Sequence, residues 1–335
     1  MAFAYMERTD RLRPLCAVPD PWRTDRCRKS SGFLFAMLFV VLFSLGACER
    51  AERDLPYVPL RMEPASSPPT ESADGVVTLR IAGAPMISPV EGFVYYRQML
   101  EYISSHLDRP VHLIQRKTYH EINELLRSGD VGAAFVCTGA FVRDGEQAGL
   151  EVLAVPHVGG EPYYRSYVIV GVHAPYETLM DLQGTRFAVT DPLSLSGRFY
   201  MLYRLKQLGE DPERFFSRIV YSWGHDNSVR AVAAGEVDAA CVDSLIYDYL
   251  RLHQSAAIPK TRILETSQRL GIPPFVASPR LDRDTKEALR AVLLGMRHDP
   301  SGAAILERLG FDGFHPLPEG LYKEARSIQL TAEEP

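Results

Sequence analysis

Short apolar runs alternate with amphipathic helical patterns from residue 76 onward, and this alternation constrains the fold more than any other feature of the sequence. The runs VVTLRIAG, RPVHLIQR and VGAAFV have the length and apolar content of strands. Between them, FVYYRQMLEYISSHL and YHEINELLRSG carry apolar residues at helical spacing. Because strands that alternate with helices usually form parallel sheets with helices on both faces, we predict an α/β fold.

The second half of the chain repeats this order. TRFAVTD, RIVYSW and VDAACVD are strand-like, and helices are predicted from about residue 197 to 208 and over NSVRAVAAGE. TRILETSQ and PPFVASPRL then lead to a final helical pair, 283–298 and 301–309. The segments INELLRSGDVGAAFVC and VRAVAAGEVDAACV resemble each other, which predicts two similar lobes, each a mostly parallel sheet flanked by helices. A ligand cleft is expected at the carboxyl ends of their strands.

Composition limits the class of protein. The 335 residues are 46% hydrophobic and 24% charged with a formal net charge of -5, which suits about two globular domains. No basic patch with interleaved aromatic residues occurs, so nucleic acid is not an expected partner. We predict a monomer without a cofactor or a bound metal.

The N-terminal region is typical of an exported lipoprotein. Residues 32–48, GFLFAMLFVVLFSLGAC, follow basic residues and are shorter than the roughly 20 apolar residues of a transmembrane helix, which indicates a signal peptide. Leu45-Gly46-Ala47-Cys48 resembles a bacterial lipobox, in which Cys48 would carry lipid. An uncleaved anchor helix is the alternative reading, and both place the downstream domain outside the cytoplasm at a membrane. Residues 1–31 are long for the start of a signal peptide, which an upstream misassigned start codon would explain.

A tether and the remaining cysteines complete the domain plan. Residues 48–75 are rich in Pro, Ser, Glu and Ala and predict a flexible tether. Only Cys137 and Cys241 lie beyond it, each at the end of an apolar run. A disulfide is possible in an oxidising compartment, but two buried free thiols are the favoured reading.

The stretch TDPLSLSGRFYM places Ser194 and Ser196 just before an apolar run. Such residues are ordinary helix caps. A helix N-terminus also leaves N–H groups unpaired, however, so hydroxyls beside it can complete a site for an anion. The stretch alone supports both readings.

Several motifs together resemble one family. RPVHLIQRKTYHEINELLRSGDVGAAFVCTGAF, EPYYRSYVIV, LQGTRFAVTDPLSLSG, WGHDNSVRAVAAGEVDAACVDS and GIPPFVASPRL occur in the order seen in the solute-binding proteins of phosphate, phosphite and phosphonate ABC transporters. The resemblance covers about residues 76–322. It implies a type II periplasmic-binding-protein fold, here in a lipoprotein form, whose two lobes close on ligand by hinge motion.

The resemblance also implies boundaries for the lobes. Residues 1–47 would be the extension and signal peptide, 48–75 the tether, 76–170 and 263–325 the first lobe, 171–262 the second lobe, and 326–335 a tail. The crossovers between the lobes would lie near 166–172 and 262–277.

The residues that hold the oxyanion follow from the same resemblance. The family uses hydroxyls and amides of a Ser-Thr-Ser turn, a tyrosine after the second strand, and a histidine. By position these fall on Ser194, Leu195 and Ser196, on Tyr119 and on His225. The other predicted contacts are lining positions of the same cleft, namely Thr138, Gly139, Tyr164 and Asp243. Ser, Tyr and His side chains and turn amides form a coherent set of donors for an anion.

Simpler structural roles remain open for several of these positions. Tyr119 could pack its ring at a helix start, and His225 could precede a cap formed by Asp226. Tyr163 and Tyr164 could be cleft wall or core.

Two departures from the family pattern concern the ligand. Leu195 stands where the family has Thr, which removes a side-chain hydrogen bond worth about 0.5 to 1.5 kcal/mol. Pro273 replaces a carboxylate that aminoalkyl-phosphonate binders use for the amine. Recognition of an amine is therefore not expected, and the predicted ligand is a phosphonate, phosphite, phosphate or related small oxyanion, with a small organic anion as the alternative.

Three functions are compatible with this picture to different degrees. The leading one is a membrane-anchored binding protein that delivers its ligand to an ABC-transporter permease. The alternative is a sensor or accessory lipoprotein that signals to a membrane partner such as a histidine kinase. An enzyme is disfavoured because HEINE lacks the second His of a zinc-protease motif and PLSLSG lacks the nucleophile elbow.

Overall fold

A computed structural model describes residues 78–87 and 89–334 of the chain. These residues belong to one compact unit, 63–335. The predicted signal peptide, the lipobox with Cys48 and the tether lie outside the described residues. No helix among the described residues is both long enough and apolar enough to cross a bilayer.

The described residues alternate between strands and helices as predicted. The strands are β1 Leu79–Gly83, β2 Val111–Ile114, β3 Ala133–Phe135, β4 Glu151–His157, β5 Tyr163–Tyr164, β6 Ser166–Gly171, β7 Arg186–Val189, β8 Arg218–Tyr221, β9 Ala239–Asp243, β10 Thr261–Thr266, β11 Leu270–Gly271, β12 Phe275–Ala277 and β13 Gly313–His315. The α-helices are α1 Pro89–Leu107, α2 Tyr119–Ser128, α3 Thr138–Ala140, α4 Tyr200–Gln207, α5 Pro212–Phe215, α6 His225–Ala233, α7 Ser244–Leu252, α8 Arg283–Gly295, α9 Pro300–Leu309 and α10 Lys323–Glu333. Two π-helical turns, Phe141–Gly145 and Leu195–Phe199, extend α3 and precede α4.

Two sheets form the two lobes. The first has the order β13-β4-β12-β3-β1-β2 and the second the order β10-β6-β9-β7-β8. In each sheet three strands are parallel: β2, β1 and β3 in the first, β8, β7 and β9 in the second. The remaining pairings are antiparallel. The two-lobe α/β class is therefore confirmed, but the sheets are mixed rather than mostly parallel, because strands next to the crossovers and near the C-terminus add to them in the opposite direction.

The chain crosses between the lobes twice, beside a small two-stranded sheet. Strands β5 and β11 pair with Tyr164 opposite Leu270 and Tyr163 opposite Gly271. Beyond this pair, the Ser166 amide donates to Ser267 Oγ at 2.8 Å, the Ser267 amide donates to the Ser166 carbonyl at 2.9 Å, and the Arg165 guanidinium donates to the Ser267 carbonyl. The crossing points are residue 165 and residues 267–269. Strands β6 and β10 thus lie wholly in the second sheet, a few residues outside the predicted lobe 171–262.

The last helix differs from the prediction. Residues 326–335 were expected to form a tail, yet 323–333 form α10, which buries Ala325, Ile328 and Ala332. These residues are spaced by three and four positions, so they occupy one helix face and pack with Leu270 and Tyr322 in a single apolar cluster.

The two modules seen in the sequence are equivalent in the fold. Helix α2 leads into β3 and helix α6 leads into β9, and each of these strands pairs in parallel with a central strand. Helix α2 begins at a capping box formed by Thr118 and Glu121 and ends at Gly129, whose φ of 82° suits the left-handed C-cap. Cys137 and Cys241 are free and buried, one in each lobe.

Candidate ligand-binding site

The predicted site residues follow the carboxyl ends of strands in both lobes. Tyr119 comes after β2, Gly139 after β3, Ser194 after β7, His225 after β8, and Asp243 ends β9. Because carboxyl ends of parallel strands share one edge of a sheet, each lobe presents its residues at a single edge. Contacts between the lobes show that the two edges face each other: the Tyr119 amide donates to Asp191 Oδ2 at 3.1 Å, and the His225 amide donates to the Met86 carbonyl at 2.8 Å.

The stretch after β7 caps a helix and also exposes one free hydroxyl to the interior. Ser194 is the N-cap of the turn Leu195–Phe199, and its Oγ accepts the Gly197 amide at 2.9 Å. The carbonyl of Ser196 accepts the Ser166 hydroxyl at 2.6 Å, whereas Ser196 Oγ is buried and has no partner. The cap interpretation is therefore correct for Ser194, and Ser196 is left with an unused donor.

The tautomer of His225 follows from its hydrogen bonds. Nδ1 accepts the backbone N–H of Asp243 at 3.0 Å and lies 3.0 Å from Thr190 Oγ1. Burial lowers the pKa of His225 to about 3, against a smaller opposite effect of Asp226. The ring is therefore neutral with its proton on Nε2, and this buried N–H has no partner.

The alternative role for His225 is not realised. Helix α6 begins at His225 itself with Gly224 as the N-cap, and Asp226 pairs with Arg230 at 2.7 Å one turn later. Asp226 is thus part of the helix rather than its cap.

Tyr119 and Tyr164 contribute two more unpartnered donors. Tyr119 is the first residue of α2 and its ring packs in the main core, so the packing interpretation is correct, but its hydroxyl has no partner. Tyr164 is likewise buried with an unpartnered hydroxyl. Burial raises the pKa of both tyrosines well above 10, and for Tyr164 nearby Ser196 and Thr138 act in the opposite direction. Both hydroxyls are therefore protonated donors.

These unpartnered atoms are concentrated at the predicted site. Among the described residues, seven buried side-chain atoms lack a hydrogen-bond partner, and four of them are Tyr119 Oη, Tyr164 Oη, Ser196 Oγ and His225 Nε2. A buried polar atom without a partner costs about 1 to 3 kcal/mol, so such a cluster is not expected in a site that stays empty. These four atoms are donors that the described part of the site leaves available to an acceptor-rich ligand.

Thr138, Gly139 and Leu195 have other roles in this arrangement. The Thr138 hydroxyl donates to the Gly271 carbonyl at 2.8 Å, so it fixes β11 and is not a free donor. A Cβ atom on Gly139 would lie 2.3 Å from the Leu193 carbonyl oxygen and 2.6 Å from the Leu195 nitrogen. Gly139 therefore permits backbone contact between the two lobes. Leu195 is fully buried among apolar residues that include Phe199.

Asp243 is the one acidic residue among the predicted contacts. It is 2% exposed, and its Oδ1 accepts the Leu245 amide at 2.7 Å as the N-cap of α7. Burial raises the pKa of its carboxyl to about 7. The described residues contain no cluster of three His, Cys, Asp or Glu side chains that could hold a metal ion.

Sequence reasoning missed three residues at the site. Asp191 joins the lobes through Tyr119 and also accepts the Leu193 amide at 2.8 Å. Met86 contributes a backbone carbonyl. Tyr96, which was assigned only to a helix face, has a pKa raised mainly by burial and further by the nearby charge of Asp243. The Asp-Pro pair before the serines was the available signal for Asp191. No sequence signal indicated Met86.

Two lobes that face each other across a buried set of donors define a solute-binding protein of the periplasmic type. Residues 81–322 match the family described as "ABC transporter, phosphonate, periplasmic substrate-binding protein", and the chain belongs to this family. The family consists of substrate-binding components, which confirms the predicted class, the predicted absence of enzymatic activity and an exported, periplasmic location at the level of the family. Lipid anchoring stays a prediction.

Individual relatives agree with this assignment. The phosphonates-binding periplasmic protein of Escherichia coli K12 is 28% identical over 178 residues, which cover 52% of this chain and 52% of that protein, so the match spans about half the length of the relative. A binding protein of an ABC phosphonate transporter from Pseudomonas aeruginosa has a TM-score of 0.72 at 20% identity, with 76% of this chain and 86% of that chain covered. PhnD1 from Prochlorococcus marinus, solved with methylphosphonate, has a TM-score of 0.67 at 18% identity, covering 75% and 96%. The two solved structures support the fold.

Proposed function

We propose that this protein is a membrane-anchored solute-binding protein that captures a phosphonate, phosphite, phosphate or related small oxyanion between its lobes and delivers it to an ABC-transporter permease. The observation that carries the proposal is the set of four buried, unpartnered groups at Tyr119, Tyr164, Ser196 and His225. Family membership supports the same function.

The chemistry of the four groups favours an anion. Each one is a neutral hydrogen-bond donor, since both tyrosines have raised pKa values and His225 has a lowered one. Hydrogen bonds to a charged acceptor are worth about 1.5 to 3 kcal/mol, more than those to a neutral acceptor. A tetrahedral oxyanion offers several acceptor oxygens to donors that approach from both lobes, so its capture would hold the lobes together.

The proposal predicts stabilisation by oxyanions. The full-length chain, purified in a mild detergent, is expected to unfold at a higher temperature with methylphosphonate, phosphite or phosphate, because a ligand that binds only the native state stabilises it by about 2.7 kcal/mol at 100 times its Kd. A thermal-shift series with these ions and with sulfate, acetate and chloride at equal ionic strength tests this. No shift with any phosphorus oxyanion would refute the proposed ligand class.

The anchor is tested separately. In a bacterial host, the wild-type protein is expected in the membrane fraction with incorporated lipid, whereas Cys48→Ala should lose the lipid label because alanine offers no thiol for acylation. Metabolic labelling with an alkyne fatty acid measures this, and Cys137→Ala is the control that should keep its label. An unlabelled wild-type protein would contradict the lipoprotein assignment and leave ligand capture unaffected.

A further inference from the structure

Asp243 is a buried carboxyl without a compensating cation. It is 2% exposed, and the ion pairs of the described residues do not include it. Its contacts are backbone amides and the neutral His225: Oδ1 accepts the Leu245 amide, and its own N–H donates to His225 Nδ1. An ionised carboxyl in this position therefore has helix-end amides but no opposite charge to offset its burial.

The carboxyl lies beside the unpartnered donors. Burial is the main cause of the raised pKa values of Tyr96, Tyr119, Tyr164 and Cys137, and the negative charge of Asp243 raises each of them further. The hydroxyls of Tyr119 and Tyr164 are two of the unpartnered donors. Tyr96 lies in α1, Tyr119 begins α2, Cys137 follows β3 and Tyr164 lies in β5, so elements of the first lobe and of the small crossover sheet contribute groups near Asp243.

None of the groups that face Asp243 can neutralise a second negative charge. The three tyrosines and Cys137 have raised pKa values and stay protonated and neutral, and His225 has a pKa of about 3 and is also neutral. Burial is the main cause of the raised pKa of Asp243, and Asp248, which lies one turn along α7 and pairs with Arg251 at 2.9 Å, raises it further. An oxyanion and an ionised Asp243 would thus repel each other in a buried site where none of these groups carries a positive charge, and a single proton between them removes that repulsion.

We propose that capture of the oxyanion is coupled to one proton, which Asp243 and the bound anion share. Either the protonated carboxyl donates to an oxygen of the ligand, or a ligand P–OH donates to the carboxylate. The inference rests on the proposed function and narrows its ligand class. Phosphorus oxyanions exchange their second proton near neutral pH, with a pKa of about 6 for a phosphomonoester, so they can bring the proton themselves. A sulfonate carries no proton at neutral pH and would depend on prior protonation of Asp243.

The test compares the full-length wild type with Asp243→Asn, which keeps an N-cap side chain and removes the titration. Because the wild-type complex must hold one proton shared by Asp243 and the ligand, whereas D243N has no such requirement, the wild-type affinity for methylphosphonate should fall about tenfold relative to that of D243N between pH 6 and pH 8. Isothermal titration at pH 8 in buffers of different ionisation enthalpy should show that the wild type takes up more protons than D243N.

Each outcome separates the two proposals. Parallel pH profiles and equal proton uptake would show that Asp243 acts only as a helix cap, and this would overturn the inference while the proposed function stands. If methylphosphonate, phosphite and phosphate all fail to bind at both pH values, the proposed function fails and the inference fails with it. If D243N does not fold, Asp243→Ser, another capping residue without charge, replaces it. The inference would also be overturned if the wild type took up fewer protons on binding than the change in protonation of the ligand alone accounts for.

Discussion

Gly139→Ala is expected to lower the affinity for an oxyanion by about 100-fold while leaving both lobes folded. The added Cβ would lie 2.3 Å from the Leu193 carbonyl oxygen and 2.6 Å from the Leu195 nitrogen, where real Cβ contacts are essentially never shorter than 3.0 Å. Both neighbours are backbone atoms, so no side-chain rotation can relieve the overlap. The lobes would have to separate at the point where the anion turn meets α3.

The size of the effect follows from the contacts that separation breaks. The hydrogen bonds from Tyr119 to Asp191 and from His225 to Met86 join the lobes beside the proposed donors. Two hydrogen bonds at about 0.5 to 1.5 kcal/mol each amount to about 1 to 3 kcal/mol. If closure of the lobes becomes less favourable by the upper end of this range, about 3 kcal/mol, the affinity for the ligand falls by about 100-fold. Within the first lobe, alanine in a helix is no worse than glycine, so stability should change little.

Trp223 provides a direct measure of closure. Lys117 of the first lobe lies 4.9 Å from the ring centre of Trp223 in the second lobe. Trp22 is the other of the two tryptophans in the sequence, so it is replaced by Phe to leave Trp223 as the reporter. Methylphosphonate is expected to change the fluorescence of this Trp22→Phe protein and not that of the same protein with Gly139→Ala. Gly295→Ala is the matched control, because a Cβ there meets nothing within 4 Å. Normal affinity in Gly139→Ala would show that the lobes bind ligand without this contact.

The repeated helix–strand modules and the class of fold could be predicted from the sequence, because apolar periodicity and turn residues are local signals. The reading of Ser194 as a cap was equally local. The mixed sheets were not predicted, since strands such as β12 and β13 are only three residues long and acquire their direction from distant partners. Helix α7 directly follows Asp243, and its amphipathic spacing was present in the sequence but was not used.

The candidate site was predictable where donors follow a strand, as at Ser196 and His225. What the sequence could not supply was the pairing of each polar atom. Thr138 and Ser196 look alike as hydroxyl residues near glycines, yet the first donates to Gly271 and the second has no partner. Such differences depend on which backbone groups distant parts of the chain bring near, and this is a property of the tertiary structure.

His225→Asn is expected to weaken anion binding roughly 10- to 100-fold and to make the protein more resistant to acid. Asparagine can place its carbonyl oxygen near the position of Nδ1 and accept the Asp243 amide, which His225 now accepts at 3.0 Å. It cannot reach the position of Nε2, so it removes the donor proposed for the ligand, a bond worth about 1.5 to 3 kcal/mol. Calorimetric titration with methylphosphonate measures the loss, and the exposed His120→Asn is the control.

The acid effect has a definite sign. The pKa of His225 falls from 6.5 to about 3 on folding, so between these values the unfolded chain binds a proton that the native protein does not. Protonation of His225 in the unfolded chain therefore lowers the free energy of unfolding as the pH falls below 6.5, by about 3 kcal/mol at pH 4. Asp243, with its raised pKa, acts in the opposite direction between about pH 4 and 7, but it is present in both proteins. Urea unfolding of wild type and His225→Asn at pH 8 and pH 4 therefore isolates the histidine, and equal losses in both would show that His225 is protonated in the native state.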